Sequence, residues 1–160
     1  LNLSQIEAGA YVLHRQKFSL MVMMKKLYAR YRALTNGKDI RMNVNIPDDI
    51  GLFGDELRLE QAVSNVLNNA IKHTADDGKI TLTLNAQGDD IRIAVENEGA
   101  PISGEDLPHI FDSYYRGKTA VRGTGLGLAI TRHIISLHGG AISAANTQKG
   151  VLFEITLPQK

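Results

Sequence analysis

The order of apolar patterns along this 160-residue chain predicts an α/β (α+β) two-layer sandwich, with a mixed, mostly antiparallel sheet covered on one face by helices. Two observations carry that prediction. Helical spacing and strand-like alternation are segregated, in the order helices, strand, helix, hairpin, loops, helix, hairpin. Each helical run carries one apolar stripe, and each hairpin supplies two strands that pair antiparallel. At 43% apolar residues the chain can fill a single core of ordinary domain size.

Ser4-Gln5-Ile6-Glu7-Ala8-Gly9, with Leu3 and Ile6 apolar, reads as the last turns of a helix stopped by glycine. A start at Leu1 reads as a piece of a longer protein whose preceding part is helical. Ser19 is a candidate cap for a second helix to about Thr35, with Leu20, Met23, Met24, Leu27, Tyr31 and Leu34 at helical spacing and Asn36-Gly37 as its stop. Its methionines are core filler. Arg41 to Ile46 alternates as a strand closed by Pro47-Asp48-Asp49, and a short strand is expected near Leu52-Phe53.

The strongest helix runs from about Asp55 to His73, with Leu59, Val63, Val66, Leu67 and Ala70 as its apolar stripe. Asp76-Asp77-Gly78 turns the chain into a hairpin of Lys79–Gln87 and Ile91–Glu96 around Gly88-Asp89-Asp90. A glycine-rich, proline-marked stretch follows to about Arg122. Gly123-Thr124-Gly125-Leu126-Gly127-Leu128 then opens a helix that reaches His138 and stops at Gly139-Gly140. Strands near Ala141–Asn146 and Val151–Leu157 close the chain.

Composition excludes several classes of function. A formal net charge of +1 argues against a nucleic-acid binder that relies on bulk electrostatics, although Lys72, Arg116, Lys118 and Arg122 are placed to converge on one polyphosphate. With no cysteine there is neither a disulfide framework nor a thiolate metal site. No apolar stretch approaches the length of a membrane span, and none has the form of a signal peptide.

Two constellations carry chemistry. Alternate glycines at Gly123, Gly125 and Gly127 allow close approach of backbone N–H groups to an anion, and the helix behind them adds its unpaired donors and the positive end of its dipole. Asn65, Asn69 and Lys72 are spaced four and three apart, so they project from one helix face opposite the apolar stripe. Asparagine is a poor helix former, and three of them between positions 65 and 69 point to a ligand. The carbonyl oxygen of Asn69 is a hard, neutral donor suited to Mg²⁺, an ion whose shell substrate phosphates complete.

In these residues the chain resembles the ATP-binding catalytic domain of a sensor histidine kinase of a two-component system, in the superfamily shared with gyrase, Hsp90 and MutL. Asp55-Glu56-Leu57-Arg58-Leu59 leading into Asn65 to Thr74 is similar to the N box, and Val95-Glu96-Asn97-Glu98-Gly99-Ala100-Pro101-Ile102 to the first glycine box. Ile110 to Arg116 resembles the F box, Gly123 to Leu128 the second glycine box, and Gly150-Val151-Leu152-Phe153 before Leu157-Pro158 the closing strand.

The resemblance implies residues 11–160 as the catalytic domain and 1–10 as the end of the dimerisation and phosphoacceptor helix. It implies ATP and Mg²⁺ as cofactors, bound between helices and a short lid at about Gly117–Arg122. Asn65, Asn69 and Lys72 would handle Mg²⁺ and phosphates, with Asn69 as metal ligand, and Arg116 another phosphate. His73, Asn97, Gly99, Ile102 and Tyr115 would border the nucleotide, and Gly123, Thr124, Gly125, Leu126, Gly127 and Leu128 would surround its phosphates. The family's first glycine box carries Asp where this chain has Asn97, whose side-chain oxygen still accepts from the adenine amino group. Pro101 replaces that box's second glycine.

Asn65 stands where gyrase-type ATPases carry a water-activating glutamate, which sets the chain apart from ATP-driven clamps. The implied reaction is transfer of the γ-phosphoryl group to a histidine outside this domain, for relay to a response regulator. None of His14, His73, His109, His133 and His138 has phosphoacceptor surroundings, and His109 and His138 read as a loop residue and a helix-end residue. The implied setting is the cytoplasmic part of a membrane-anchored bacterial sensor, homodimeric in full length, touching the membrane only through upstream segments. The alternative is a degenerate module that holds nucleotide, or nothing, and regulates a partner by contact.

Overall fold

A computed structural model describes residues 4–5, 9, 11–35, 39–113 and 127–159. The elements are β1 (Gln16–Ser19), α1 (Leu20–Thr35), β2 (Arg41–Asn45), β3 (Gly51–Gly54), α2 (Glu56–His73), β4 (Lys79–Gln87), β5 (Asp90–Glu98), α3 (Gly127–Leu137), β6 (Ala141–Asn146) and β7 (Gly150–Pro158), with a short 3₁₀ turn at Leu107–His109. Five strands form one sheet in the order β2-β4-β5-β7-β6. The pair β2–β4 is parallel, and β4–β5, β5–β7 and β6–β7 are antiparallel, so the sheet is mixed and mostly antiparallel as predicted.

Period-two alternation decides which face is covered. Ile80, Leu82 and Leu84 on β4, Ile91, Ile93 and Val95 on β5, and Val151, Phe153, Ile155 and Leu157 on β7 are all buried. They pack in one core with Leu20, Met23, Met24, Leu27 and Tyr31 of α1, the predicted stripe of α2, and Ile134 and Ile135 of α3. Polar partners such as Arg92 and Glu154 pair on the opposite face, where Ala94 meets Glu154 in register.

Caps set the helix ends. Ser19 Oγ accepts from Val22 N at 3.1 Å, and Asp55 Oδ1 accepts from Arg58 N at 3.2 Å. Thr74 leaves α2 in extended conformation. In the β4–β5 hairpin the turn is shorter than predicted: Gln87 pairs with Asp90, and Gly88 takes a φ of +62°.

The structure corrects four further expectations. Strand β1 was absent from the sequence reading; four residues with one large apolar side chain, Phe18, are too few for a periodic signal, and pairing with β3 creates the strand. Leu34 is 65% exposed, and buried Thr35 continues the stripe one step of four beyond Tyr31, its hydroxyl donating to Arg32 O. Strand β5 extends to Glu98, which puts Asn97 inside the sheet, and α3 begins at Gly127, within the glycine motif. At the start of the chain Ser4 and Gln5 are helical and Gly9 has a φ of +62°. No helix among the described residues is long and apolar enough to cross a membrane.

Candidate active site

The long stripe of α2 presses one face on the sheet and leaves Asn65, Asn69 and Lys72 on the opposite side. Asn65 is half-buried because it reaches α3: its Nδ2 donates to Gly127 O at 3.1 Å and to Thr131 Oγ1 at 3.2 Å. Thr131, fully buried, in turn donates to Gly127 O at 2.9 Å. Asn65 therefore fastens the middle of α2 to the first turn of α3 through its Nδ2. Asn69 is half-buried one turn on, and Lys72 is exposed.

The floor below is made by backbone held unusually close. A Cβ on Gly99 would lie 2.3 Å from His73 O, so only glycine fits where the end of α2 meets the exit of β5. Thr74 and Gly99 form an isolated antiparallel bridge, and Ala75 N donates to Glu98 O at 3.0 Å. This brings His73, Asn97 and Gly99 together. His73 is half-buried, and that burial, with the nearby Lys72 charge, lowers its pKa from the usual histidine value, favouring the neutral ring.

Asn97 is 1% exposed, and its Nδ2 has no hydrogen-bond partner among the described residues. A buried donor left unmade costs about 1–3 kcal/mol; Asn85 Oδ1 on β4 is likewise buried without a partner among the described residues, and what sets Asn97 apart is its place beside His73 and Gly99. Ile102, half-buried, lies beyond it on the loop that leaves β5, and Leu128 packs against the core from the first turn of α3. Among the sequence-derived candidates, Tyr115, Arg116, Gly123, Thr124, Gly125 and Leu126 lie outside the described residues, as do Lys118 and the Gly117–Arg122 lid.

The sequence reading missed a second polar cluster at the other end of α2. Asp55, 4% exposed, caps the helix and also accepts from Tyr11 Oη and His14 N, both at 3.0 Å. Arg58 donates through Nε to Tyr11 Oη at 2.7 Å and stacks over that ring. Burial raises the Asp55 pKa, but the hydrogen bonds from His14, Arg58 and Tyr11 and the Arg58 charge outweigh it, leaving it below the usual carboxylate value. Asp55 N donates to His138 Nε2 at 3.0 Å, while His138 Nδ1 donates to Ile134 O at 2.8 Å.

His138 stands at the end of α3 as expected, and there it is a buried post joining that end to the start of α2. No spacing rule links residues 83 apart, which is why the pair was invisible. His109, expected in a loop, closes the 3₁₀ turn and faces Asp112 at 3.0 Å.

The chain is similar to known proteins over most of its length. The family described as histidine kinase-, DNA gyrase B-, and HSP90-like ATPase matches residues 54–160. Sensor histidine kinase RcsC of Escherichia coli (strain K12) is 35% identical over 165 residues, covering 99% of this chain and 17% of RcsC. Sensor histidine kinase CusS of the same strain is 30% identical over 162 residues, covering 99% of this chain and 34% of CusS. The chain thus spans about a third or less of these curated relatives. The catalytic domain of histidine kinase ThkA, in a nucleotide-free form, superposes with a TM-score of 0.84 at 32% identity, covering 91% of this chain and 96% of that one. ThkA in complex with the response regulator protein TrrA gives 0.81 at 29% identity, covering 98% of this chain and 46% of that one.

Proposed function

Because the chain belongs to the histidine kinase-, DNA gyrase B- and HSP90-like ATPases, and within them to the catalytic domains of sensor histidine kinases, we propose that it binds Mg·ATP and transfers the γ-phosphoryl group to a histidine of a separate dimerisation domain. In this reading residues 11–160 form the catalytic unit, and 1–10 end the helix of that dimerisation domain. The observation that carries it is the row Asn65, Asn69, Lys72, fastened by Asn65 to the first turn of α3 and set above a buried amide with an unmet donor.

Each residue then has a physical task. Asn97 reads the base: its amide oxygen accepts from the adenine amino group and its Nδ2 finds a ring acceptor, with Gly99 and Ile102 beside it and neutral His73 at the edge. Lys72 meets a phosphate oxygen, joined in this reading by Arg116 and by the backbone of Gly123, Thr124, Gly125, Leu126, Gly127 and Leu128. Tyr115 borders the nucleotide from the same loop.

The donor set fits Mg²⁺. The Asn69 carbonyl, with Asn65 Oδ1 one turn away, offers neutral oxygens to an ion that keeps several waters and takes phosphate oxygens for the rest. When bound, that ion neutralises the charge that develops on the transferring group. Asn65 directs the chemistry toward transfer rather than hydrolysis, because a neutral amide is too weak a base to take a proton from water where a carboxylate could.

The relatives' names support partners as well. ThkA was solved with a response regulator, and we infer the same class of partner, together with a homodimeric phosphoacceptor domain and a bacterial sensor that reaches the membrane through other segments. Asn69→Ala, in a protein carrying the phosphoacceptor domain, should lower Mg-dependent phosphotransfer at least roughly 100-fold while melting stays unchanged, since no core contact is lost. Near-normal transfer would overturn the N-box roles. The 160-residue chain alone should bind Mg·ADP and acquire no phosphohistidine; a stable phosphohistidine on it would overturn the reading.

A further inference from the structure

We propose that Asn146 is a positioning residue for the base end of the nucleotide site, acting through the backbone of Ile102; the proposal rests on the nucleotide reading above. Asn146 Nδ2 donates to Ile102 O and Asn146 Oδ1 accepts from Ile102 N, both at 2.8 Å. One amide thereby satisfies both backbone groups of one residue, as a neighbouring strand would. No main-chain ladder reaches Ile102, so a side chain supplies the rung.

Register explains why this amide and not another. Ile80, Asn97, Val151 and Asn146 form one row across β4, β5, β7 and β6. Asn146 is thus level with Asn97 and two strands away, about 9–10 Å at the usual strand spacing. The loop leaving β5 crosses the start of β7 to reach it. Gly99 N donates to Lys149 O at 3.0 Å, and a Cβ on Gly150 would lie 1.9 Å from Asn97 O and 2.9 Å from Gly99 N, so the crossing is made at backbone contact. Pro101 then fixes one φ just before Ile102.

The pair sets position more than stability. Asn146 is exposed, and the backbone of Ile102 near the surface would be solvated at little cost without it. What the amide removes is freedom: residues 99–102 are tied at Gly99 and at Ile102, with a proline between. The loop that bears Ile102 is held at a set distance from Asn97, which is what a shaped slot for a planar base needs.

Mg·ADP and, separately, inorganic tripolyphosphate with Mg²⁺ are titrated into the 160-residue chain and its variants. Asn146→Ala should weaken ADP roughly tenfold and leave tripolyphosphate unchanged, with a melting temperature close to the parent's. Asn146→Asp keeps the acceptor for Ile102 N but sets an oxygen against Ile102 O, so it should fall between the two. In an Ile102→Ala background the further change Asn146→Ala should have less than about a twofold effect on ADP, because the pair acts as one unit. Equal weakening of both ligands, or none of ADP, overturns the proposal while the nucleotide reading stands. A parent that binds tripolyphosphate but not ADP overturns both.

Discussion

At the N-terminal end of α2, Asp55 accepts from Arg58 N, Tyr11 Oη and His14 N while its own amide donates to His138, whereas alongside the C-terminal end Asn97 keeps Nδ2 buried with no partner among the described residues. Both groups are almost wholly shielded from water, at 4% and 1% exposure. The difference separates a polar network that holds the fold from an unmet amide that the proposed function assigns to the nucleotide. A satisfied buried network rigidifies, and an unsatisfied one is a cost kept for another purpose. On the proposed function, one helix serves as a joint at one end and a binding wall at the other.

The largest effect should come from breaking the joint. Asp55→Ala removes the helix cap and leaves the Tyr11 hydroxyl and the His14 amide without their acceptor, at an expected cost of about 3 kcal/mol. For a domain of this size that lowers the melting temperature by roughly 10 °C. Mg·ADP affinity, measured where the variant is still folded, should change less than about twofold. A folded Asp55→Ala protein that had lost nucleotide binding would show that the two ends are coupled, and the contrast would collapse.

The opposite pattern is expected at Asn97. Asn97→Ala deletes a buried donor that no protein group satisfies, so melting should stay level or rise, while ATP binding weakens by roughly 1–3 kcal/mol. The parent should prefer ATP over GTP, because guanine carries an oxygen where adenine carries the amino donor. Asn97→Asp should preserve or improve ATP binding. Calorimetric titration of both nucleotides into the three proteins checks this. Equal affinity of the parent for ATP and GTP, unmoved by Asn97→Ala, would show that Asn97 does not read the base.

These two residues also mark what the sequence could and could not disclose. Periodicity is local information, so the stripe of α2, the hairpins and the face bearing Asn65, Asn69 and Lys72 were legible from spacing alone. The resemblance identified the boxes and singled out Asn97. Contacts between distant positions leave no such trace. The bond from Asp55 to His138, the reach of Asn65 to Gly127 and Thr131, and the pairing of Asn146 with Ile102 depend on how elements stack. Strand β1 was hidden for a related reason: four residues become a strand only because β3 lies beside them.

The smallest and most discriminating effect is one of pH, because a histidine with a lowered pKa lies at each end of α2: His73 on the helix and His138, from the end of α3, against its cap. At His138 burial is the main cause and Arg15 adds to it, against the opposing pull of the Ile134 carbonyl and the Asp55 charge; at His73 burial leads and Lys72 adds. Geometry gives His138 a further reason to stay neutral, since a proton on Nε2 would face the Asp55 N–H that this nitrogen accepts from. In each case the unfolded chain binds a proton more readily than the folded one. Stability is therefore fully present above the unfolded value of about 6.5 and falls as pH drops below it, by at most about 1.4 kcal/mol per pH unit for each histidine. The two contributions separate by substitution and by ligand. Thermal melts from pH 8 to pH 5 should lose part of their slope in His138→Gln whether or not Mg·ADP is present, because His138 belongs to the joint. The part lost in His73→Gln should depend on nucleotide, because His73 borders the site. A His138 contribution that nucleotide altered as strongly as that of His73 would mean that ligand reaches the joint through α2 or α3, and the helix would have to be treated as one coupled unit.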